Sequence, residues 1–405
     1  MRGELYRAGD TEFTEYRIMM NVDQLQHIRS LFPHTAQGKI YLNHAGTSPL
    51  STRVVAAMTN YLRERSEGRL ENYQHDLPMV AECKAMIHKL IHAESPDRIA
   101  LTTNTSDAIN IVASGIQWKS GDRVLLNSLE FPANVWPYLN LKRHGVELDF
   151  IRESNGRITT EQILDGLTSR TRLVALSAVQ FLSGYRADLA AIGELCRRRD
   201  IIFAVDAIQA VGAVRIDVQS MHIDALAAGG QKWQTSPHGT GFLYLTEELQ
   251  DRIQQHHLGW LGVDNPWDFS NFDQPLASTA RRYEGGSLVM PSLWGYHAAL
   301  STLLEFGIDV IQHHVLEITR HLLDGFAQTP GIEVSTPQRD DERAGIVTIR
   351  LSDDVDATLI FKKLLERKVH AAVRDGKIRY SPHFYMTLEE MEVTVEATRE
   401  CLGKA

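Results

Sequence analysis

The amino-acid sequence predicts an α/β fold, with a large lobe built on a seven-stranded, mainly parallel sheet and a smaller C-terminal α/β lobe. Between about residues 81 and 244, short runs rich in β-branched residues alternate with amphipathic helical segments, which is the pattern of a parallel sheet covered by helices. After Trp294 the pattern changes to long helices followed by short strands. At 405 residues the chain also exceeds the length at which one hydrophobic core stops growing, so we expect at least two lobes.

Seven apolar runs are the strand candidates of the large lobe: residues 99–103, 124–127, 146–151, 173–179, 201–205, 223–228 and 241–245. In the C-terminal part, candidate strands at 346–351, 369–373 and 377–380 surround a candidate helix at 358–366. These patterns divide the chain into an N-terminal segment (1–40), a large domain (41–290) and a small domain (291–405). Residues 1–19 are expected to be disordered, and the amphipathic stretch from Met20 is expected to add a helix to the small domain.

The composition argues against several classes of protein. With 43% hydrophobic and 23% charged residues, the chain has ordinary globular usage. A net charge of -9 argues against nucleic acid as a partner, because neutralising phosphates needs clustered Lys and Arg. There is no uncharged run long enough to span a bilayer and no signal-peptide core, so we expect no membrane partner. Cys83, Cys196 and Cys401 have no paired spacing, which favours a reducing cytoplasm.

Polar residues follow several strand candidates, where ligands bind in open α/β sheets. The first group, residues 102–107, follows a strand and opens a helix predicted over 108–113. A helix N-terminus offers free N–H groups to an anion, so this turn is a candidate phosphate site. An ordinary Thr or Ser helix cap explains the same residues.

We expect no metal site, because His88 and His92 have helical spacing but no evident further ligand.

Two further strand ends carry ionisable residues. Asp206 ends a strongly apolar strand, and a buried carboxylate needs a partner such as a protonated pyridine nitrogen. Lys232 lies in a glycine-rich segment after the strand at 223–228, where desolvation would lower its pKa and favour attack on an aldehyde. A turn Asp and a surface-loop Lys are the ordinary explanations of each residue taken alone.

The segment IDALAAGGQKWQTSPHGTGF resembles the cofactor-lysine signature of the class V aminotransferase family of pyridoxal 5'-phosphate (PLP) enzymes. Six other segments agree with the family in chain order: YLNHAGTSPL, TTNTSDAIN, LEFPAN, AVDAIQAVG, RRYEGGS and IRYSPHFYMTLEE. The resemblance implies the PLP-dependent transferase fold, type I. It also implies an enzyme that acts on an amino acid through an external aldimine, by transamination, epimerisation or C–S or C–C cleavage.

The same resemblance assigns the residues around the cofactor ring. Lys232 would hold PLP as a Schiff base and later move a proton at the substrate's alpha carbon. Asp206 would pair with the pyridine nitrogen, and Gln209 and Gln180 would face the phenolic side of the ring. Phe131 stands where relatives stack an aromatic residue or His on the cofactor, and as Phe it can only stack.

It also assigns the outer contacts of the cofactor and the substrate. Thr105, Ser106 and Gln231 would bind the phosphate. Ser287 would reach the phosphate of a neighbouring subunit, which predicts a homodimer with active sites at its interface. Arg379 would bind the substrate carboxylate, a task suited to the planar guanidinium group.

Two positions depart from the family pattern. Gly229 stands where relatives often have a Ser on the phosphate. Only four residues separate Arg374 from Arg379, whereas cysteine desulfurases have a longer segment there with the Cys that receives sulfur. In motif pattern the chain is closest to kynureninase-like and isopenicillin N epimerase-like members, and also resembles desulfurase-like ones. Desulfurase or selenocysteine lyase activity without a loop cysteine stays an alternative, and a PLP-fold regulator that binds a ligand without turnover is a second one.

Overall fold

The computed structural model describes residues 20–69 and 72–403, so the expected disorder of residues 1–19 lies outside the described residues. The α-helices in these ranges are α1 (Val22–Ser30), α2 (Pro33–Ala36), α3 (Thr52–Ser66), α4 (Asn72–Ile91), α5 (Thr105–Gly115), α6 (Trp136–Leu139), α7 (Thr160–Gly166), α8 (Leu189–Arg197), α9 (Glu247–Arg252), α10 (Met290–Phe306), α11 (Ile308–Ala327), α12 (Ala357–Glu366) and α13 (Leu388–Gly403). Several begin at a side-chain cap, as the sequence favours: Asn21 and Thr159 each form a capping box with a Gln three residues later.

The strands are β1 (Ile40–Tyr41), β2 (Ile99–Thr102), β3 (Arg123–Asn127), β4 (Glu147–Ile151), β5 (Thr171–Ser177), β6 (Ile202–Asp206), β7 (Ala225–Gly229), β8 (Gly241–Leu245), β9 (Ile332–Val334), β10 (Val347–Leu351), β11 (Val369–His370), β12 (Ala372–Arg374) and β13 (Lys377–Tyr380). Each strand predicted for the large lobe is present, with bounds that differ by a few residues. The fold class is confirmed.

The large sheet has seven strands in the order β2-β8-β7-β6-β5-β3-β4. Strands β3 to β7 pair in parallel, and β8 runs antiparallel to both of its neighbours, β2 and β7. The central strands β6, β7 and β8 are buried along their whole length, as expected for a sheet with helices on both faces. The carboxyl ends of the parallel strands therefore meet at one edge of the sheet, where the predicted site residues follow.

The smaller sheet is antiparallel, with the order β12-β13-β10-β9. The single strand predicted at 369–373 is wrong in one respect, because the chain changes partner within it. β11 pairs with β1, and after Ala371 β12 pairs with β13 instead. The sequence prediction missed β1 and β9, since strands of two or three residues are too short to show an alternating pattern.

The two sheets share buried apolar packing. One cluster of buried side chains includes Leu176 and Val205 of the large sheet and Val347 and Ile378 of the smaller one. Helix α10 packs against α3 and α4, and α4 also contacts β2 of the large sheet. Helix α1 is joined to α13 through an ion pair between Arg29 and Glu390 at 2.7 Å. The domain bounds drawn from the sequence stay a prediction.

Within the described residues, no helix combines the length and apolar character needed to cross a membrane.

Candidate active site

A cavity of about 320 Å³ opens at the carboxyl edge of the large sheet, a volume in the range of small-molecule sites. Eight of the residues predicted from the motifs line it: Thr105, Ser106, Phe131, Asp206, Gln209, Gln231, Lys232 and Arg379. The other lining residues had no predicted role: Ala45, Gly46, Asn104, Ala133, Phe181, Ile208 and Arg374. The cavity thus joins segments from the start, middle and end of the chain.

Lys232 lies in the turn after β7, in a stretch whose backbone carbonyls are held by other parts of the chain. The N–H of Ser48 donates to the carbonyl of Gln231 at 2.9 Å, and the Ser48 hydroxyl donates to the carbonyl of Lys232 at 2.5 Å. Nε2 of His383 lies 2.8 Å from the carbonyl oxygen of Trp233. The backbone of the lysine is therefore fixed while its side chain reaches into the cavity.

Asp206 is the last residue of β6 and is 2% exposed. One carboxylate oxygen accepts a hydrogen bond from the N–H of Ile208 at 3.0 Å, and no basic side chain of the described residues forms an ion pair with it. Burial raises the pKa of the carboxyl above 3.8, while the charge of Lys232 opposes that rise. A buried carboxylate in this condition is stabilised by a ligand that brings a proton or a positive charge.

Burial also lowers the pKa of the Lys232 ammonium below its usual value. Asp206 opposes this effect, whereas the guanidinium groups of Arg379 and Arg374 add to it. The amine of Lys232 therefore reaches its neutral, nucleophilic form at a lower pH than a surface lysine does.

Helix α5 begins at the cavity wall, and Asn104 is its cap. The side-chain oxygen of Asn104 accepts from the N–H of Asp107 at 2.9 Å. The alternative explanation, a Thr or Ser cap, is therefore wrong. Thr105 Oγ1 is buried without a hydrogen-bond partner in the described part of the chain, and Ser106 lines the cavity beside it. Both hydroxyls and the helix N-terminus are left for an anion.

Gly229, the departure from the family pattern, lies behind this anion site. A Cβ built on it would be 2.5 Å from Oε1 of Gln231 and 3.1 Å from Oγ1 of Thr105. A larger residue at this position would displace the Gln231 side chain. Gly229 and the present position of Gln231 are thus mutually compatible, and a serine would require another arrangement.

Gln209 lines the cavity with its amide already fixed. Its Oε1 accepts from the indole N–H of Trp233 at 2.8 Å, and its Nε2 donates to the carbonyl of Ala45 at 3.0 Å. An amide nitrogen has two N–H groups, so one donor remains for a ligand.

Glu130 is a buried carboxylate that the sequence reasoning missed. It accepts from side-chain amides of Asn127 (2.6 Å), Asn134 (2.9 Å) and Gln180 (3.1 Å), and from both the N–H (2.8 Å) and the hydroxyl (2.6 Å) of Ser177. Gln180 is 2% exposed and its Oε1 has no partner in the described residues, but it does not line the cavity. The signal in the sequence was an acidic residue between two Asn, directly before Phe131.

Two phenylalanines form an apolar side of the cavity. The rings of Phe131 and Phe181 meet edge to face with centroids 5.3 Å apart, and Nζ of Lys232 lies 5.7 Å from the centroid of Phe131. Phe131 is 44% exposed, so one face of its ring is available for stacking.

Arg379 is 2% exposed, and its guanidinium is held at one end only. Its Nη1 donates to the carbonyl of Phe181 at 2.7 Å, and Nη2 makes a long contact of 3.5 Å to the amide oxygen of Asn43. Nε is buried and has no partner in the described residues. The Nε and Nη2 side of the fork is therefore oriented and free to bind a carboxylate.

Ser287 lies outside this arrangement. Its side chain is exposed, and it is absent from the residues that line the cavity of its own chain.

Among the described residues no group of three or more His, Cys, Asp or Glu side chains is placed to hold a metal ion.

The family model for aminotransferase class V matches residues 40–398. The chain belongs to this family. The family, the enzyme class and the PLP cofactor, all expected from the motifs, are confirmed. The buried atoms without partners at Thr105 and Arg379, together with the unpaired carboxyl of Asp206, also fit a phosphorylated pyridine aldehyde and its substrate.

Relatives of several kinds are similar over most of their length. A probable cysteine desulfurase of Methanothermobacter thermautotrophicus is 29% identical over 90% of this chain and 95% of its own. An uncharacterized aminotransferase of Bacillus subtilis, YcbU, is 30% identical over 92% of this chain and 96% of its own. The isopenicillin N epimerase of Streptomyces clavuligerus is 26% identical over 90% of this chain and 95% of its own.

Solved structures share the fold. A mutant of the protein C-DES, with glycine covalently linked to its PLP cofactor, matches with a TM-score of 0.85 at 23% identity, covering 92% of this chain and 99% of that one. The apo cysteine desulfurase of Thermococcus onnurineus also has a TM-score of 0.85 at 23% identity, and the match covers 94% of this chain and 98% of that one. The expected PLP-dependent transferase fold of type I is thereby confirmed.

Proposed function

We propose that this enzyme binds PLP in the cavity between Asp206 and Phe131 and transforms an amino acid whose carboxylate binds Arg379. The observation that carries the proposal is the convergence of Lys232, Asp206 and Arg379 on one cavity. Each has the charge and burial that its role requires. When bound, PLP supplies an electron sink for the carbanion that forms at the substrate's alpha carbon.

The residues of the chain supply the remaining functions. Asp206 holds the pyridine nitrogen protonated, and Phe131 covers one face of the ring. Thr105, Ser106, Gln231 and the N-terminus of α5 bind the phosphate. Gln209 contacts the phenolic side of the ring, and we propose that Gln180, oriented by Glu130, lies behind that contact rather than in the cavity wall.

Lys232 is proposed to move the proton at the alpha carbon, since its amine is near the cavity and has a lowered pKa. Arg379 fixes the carboxylate and so orients the alpha C–H bond. Phe181 holds Arg379 and also packs on Phe131, which links the position of the substrate to that of the ring.

The first test is chemical modification of the yellow holoprotein with borohydride, which reduces a carbon–nitrogen double bond to a stable amine. Peptide mapping should recover the reduced cofactor on Lys232. Lys232→Ala should bind PLP weakly and lose turnover, whereas Lys377→Ala, outside the cavity lining, should retain the colour. Recovery of the label on another lysine would contradict the assignment.

The second test identifies the reaction. The holoenzyme is incubated with a panel of amino acids, and products of transamination, epimerisation and C–S or C–C cleavage are separated. Turnover of at least one amino acid that Lys232→Ala abolishes is the expected result. Tight PLP binding without any product from the panel would favour the alternative, a ligand-binding regulator.

We also propose a homodimer. Supporting this, the rings of Tyr73, Trp260, Trp267 and Phe269 form a cluster with centroids 5.4 to 6.3 Å apart, yet Trp267 is 44% and Phe269 is 70% exposed. Exposed aromatic patches of this kind are typical of interfaces. The cluster precedes Ser287, the residue expected to reach the partner's phosphate.

We propose the cytoplasm as the location of the enzyme. Cys83, Cys196 and Cys401 are all buried and free, and burial raises the pKa of each thiol. Free thiols with no disulfide partner are typical of a reducing compartment.

A further inference from the structure

Arg374 faces the same cavity as Arg379 and is the feature of the site that the proposed function leaves unused. The two arginines lie on the hairpin of β12 and β13, whose turn is Asp375-Gly376. Both turn residues have positive φ, 50° and 68°, as in the tight two-residue turns that Asp-Gly favours. The hairpin is therefore a short, defined support for the two guanidinium groups.

The register places the two arginines on one face of this hairpin. Arg374 lies opposite Lys377, and Arg379 follows Lys377 by two residues on the same strand. Because side chains alternate between faces along a strand, all three basic residues share a face. Arg374 and Arg379 line the cavity, and Lys377 does not.

The charges on this side of the cavity are not balanced by the protein. No salt bridge in the described ranges involves Arg374, Lys377 or Arg379, although most other arginines there have an acidic partner. Among the described residues that line the cavity, Asp206 is the single acidic one, and its proposed partner is the pyridine nitrogen. Within the part of the chain that the structure describes, the one hydrogen bond that Arg374 donates goes to the carbonyl of Val373, at 2.8 Å.

We infer that Arg374 binds a second acidic group, so that the preferred substrates are amino acids with a carboxylate in the side chain. The inference rests on the proposed function, in which the alpha carboxylate occupies Arg379. With that carboxylate bound, Arg374 is the remaining cation of the lining that is free to meet an anion, since Lys232 is engaged by the cofactor. The apolar rings of Phe131 and Phe181 would contact the carbon chain between the two carboxylates.

The test compares aspartate with asparagine and glutamate with glutamine, pairs that differ in charge and hardly in shape. Titration of the holoenzyme is followed through the change in cofactor absorbance, which gives a dissociation constant for each amino acid. We expect the acids to bind about tenfold tighter than their amides, the range of a partly exposed charge-assisted hydrogen bond. Calorimetry with glutarate and its monoamide, which have no amino group to react, should show the same order.

The variant R374Q should reduce the acid-to-amide ratio to about one, with the cofactor retained after desalting. K377Q removes the same charge from the same face of the hairpin and should keep the ratio, which separates a direct contact from general attraction. An equal affinity for acids and amides in the wild type would overturn the inference and leave the proposed function standing. Loss of the acid-to-amide ratio in K377Q would also overturn the inference. Loss of PLP from R374Q would overturn it too, because it would assign Arg374 to the phosphate. If no amino acid changed the absorbance, the inference and the proposed function would both fail.

Discussion

Lys232 and Asp206 show at the scale of single residues how burial prepares opposite charges for one ligand. Burial lowers the pKa of the amine and raises that of the carboxyl, so each charged form is less stable in the cavity than in water. A cofactor that combines with the amine and brings a protonated nitrogen to the carboxylate relieves both costs. The site is therefore complete only with its ligand.

Asp206→Asn should separate stability from function. Because the pKa of Asp206 is raised in the folded chain, stability falls as pH rises from about 4, the unfolded pKa, to the raised folded pKa, and above that pKa the loss is complete and constant. In the apoprotein the variant should gain stability relative to wild type as pH rises, measured by urea unfolding between pH 5 and 8. PLP affinity and turnover should fall in the same variant. A stability difference that is independent of pH, or near-normal turnover, would contradict this account.

Glu130→Gln should weaken the fold behind the cavity. The carboxylate accepts five hydrogen bonds, and an amide nitrogen in place of one oxygen would face the donors of Asn134 or Asn127. The variant loses about one of these hydrogen bonds, and the donor of that bond is left without an acceptor. Together these changes should lower the free energy of unfolding by about 2 kcal/mol. The urea midpoint should fall and PLP should bind more weakly, whereas Glu333→Gln, in an exposed pair, should change neither.

At the scale of elements, the hairpin of β12 and β13 decides which chemistry the chain can support. A sulfur-accepting cysteine must be a mobile, exposed thiolate, and a two-residue turn between Arg374 and Lys377 leaves no loop to carry one. Cys83, Cys196 and Cys401 are buried on α4, α8 and α13. Burial raises the pKa of Cys83 and of Cys196 to about 12, which keeps these thiols protonated.

The enzyme should therefore not store sulfur as a protein persulfide, although several relatives are probable cysteine desulfurases. Incubation with cysteine without reductant, followed by intact mass spectrometry, should show no stoichiometric gain of one sulfur atom. Any sulfur release should appear as free sulfide or a small persulfide. A gain of sulfur that disappears in one Cys→Ser variant would show that one of the buried thiols becomes accessible.

At the scale of the whole molecule, the predicted dimer couples assembly to cofactor binding. If Ser287 reaches the partner's phosphate, dilution below the dimer dissociation constant should release PLP, as sedimentation and absorbance would show together. Phe269→Ser, in the exposed aromatic cluster, should weaken the dimer about tenfold. Phe150→Ser changes another exposed phenylalanine, on β4, and should leave it intact. A monomer that retains PLP would refute the coupling.

The sequence by itself determined the fold class and most of the cavity lining. Strands of four to seven residues showed their apolar pattern, and Lys232, Asp206 and Arg379 lay in motifs whose order and local spacing are specific. These signals are local, so they can be read along the chain. The cap of α5 was predicted wrongly as Thr or Ser, because several polar residue types suit a helix N-cap and the hydrogen bond from the N–H of Asp107 to Asn104 is not visible along the sequence.

Only the tertiary structure decided which distant segments complete the site. Glu130 meets Ser177 and Gln180 because β3 and β5 are adjacent in the sheet, and pairing between strands is not visible along the sequence. Ser48 and His383 hold the lysine turn from opposite ends of the chain. Arg374 enters the cavity because a two-residue turn places it on the same face as Arg379. Contacts between residues far apart in the chain depend on packing, which local patterns do not encode.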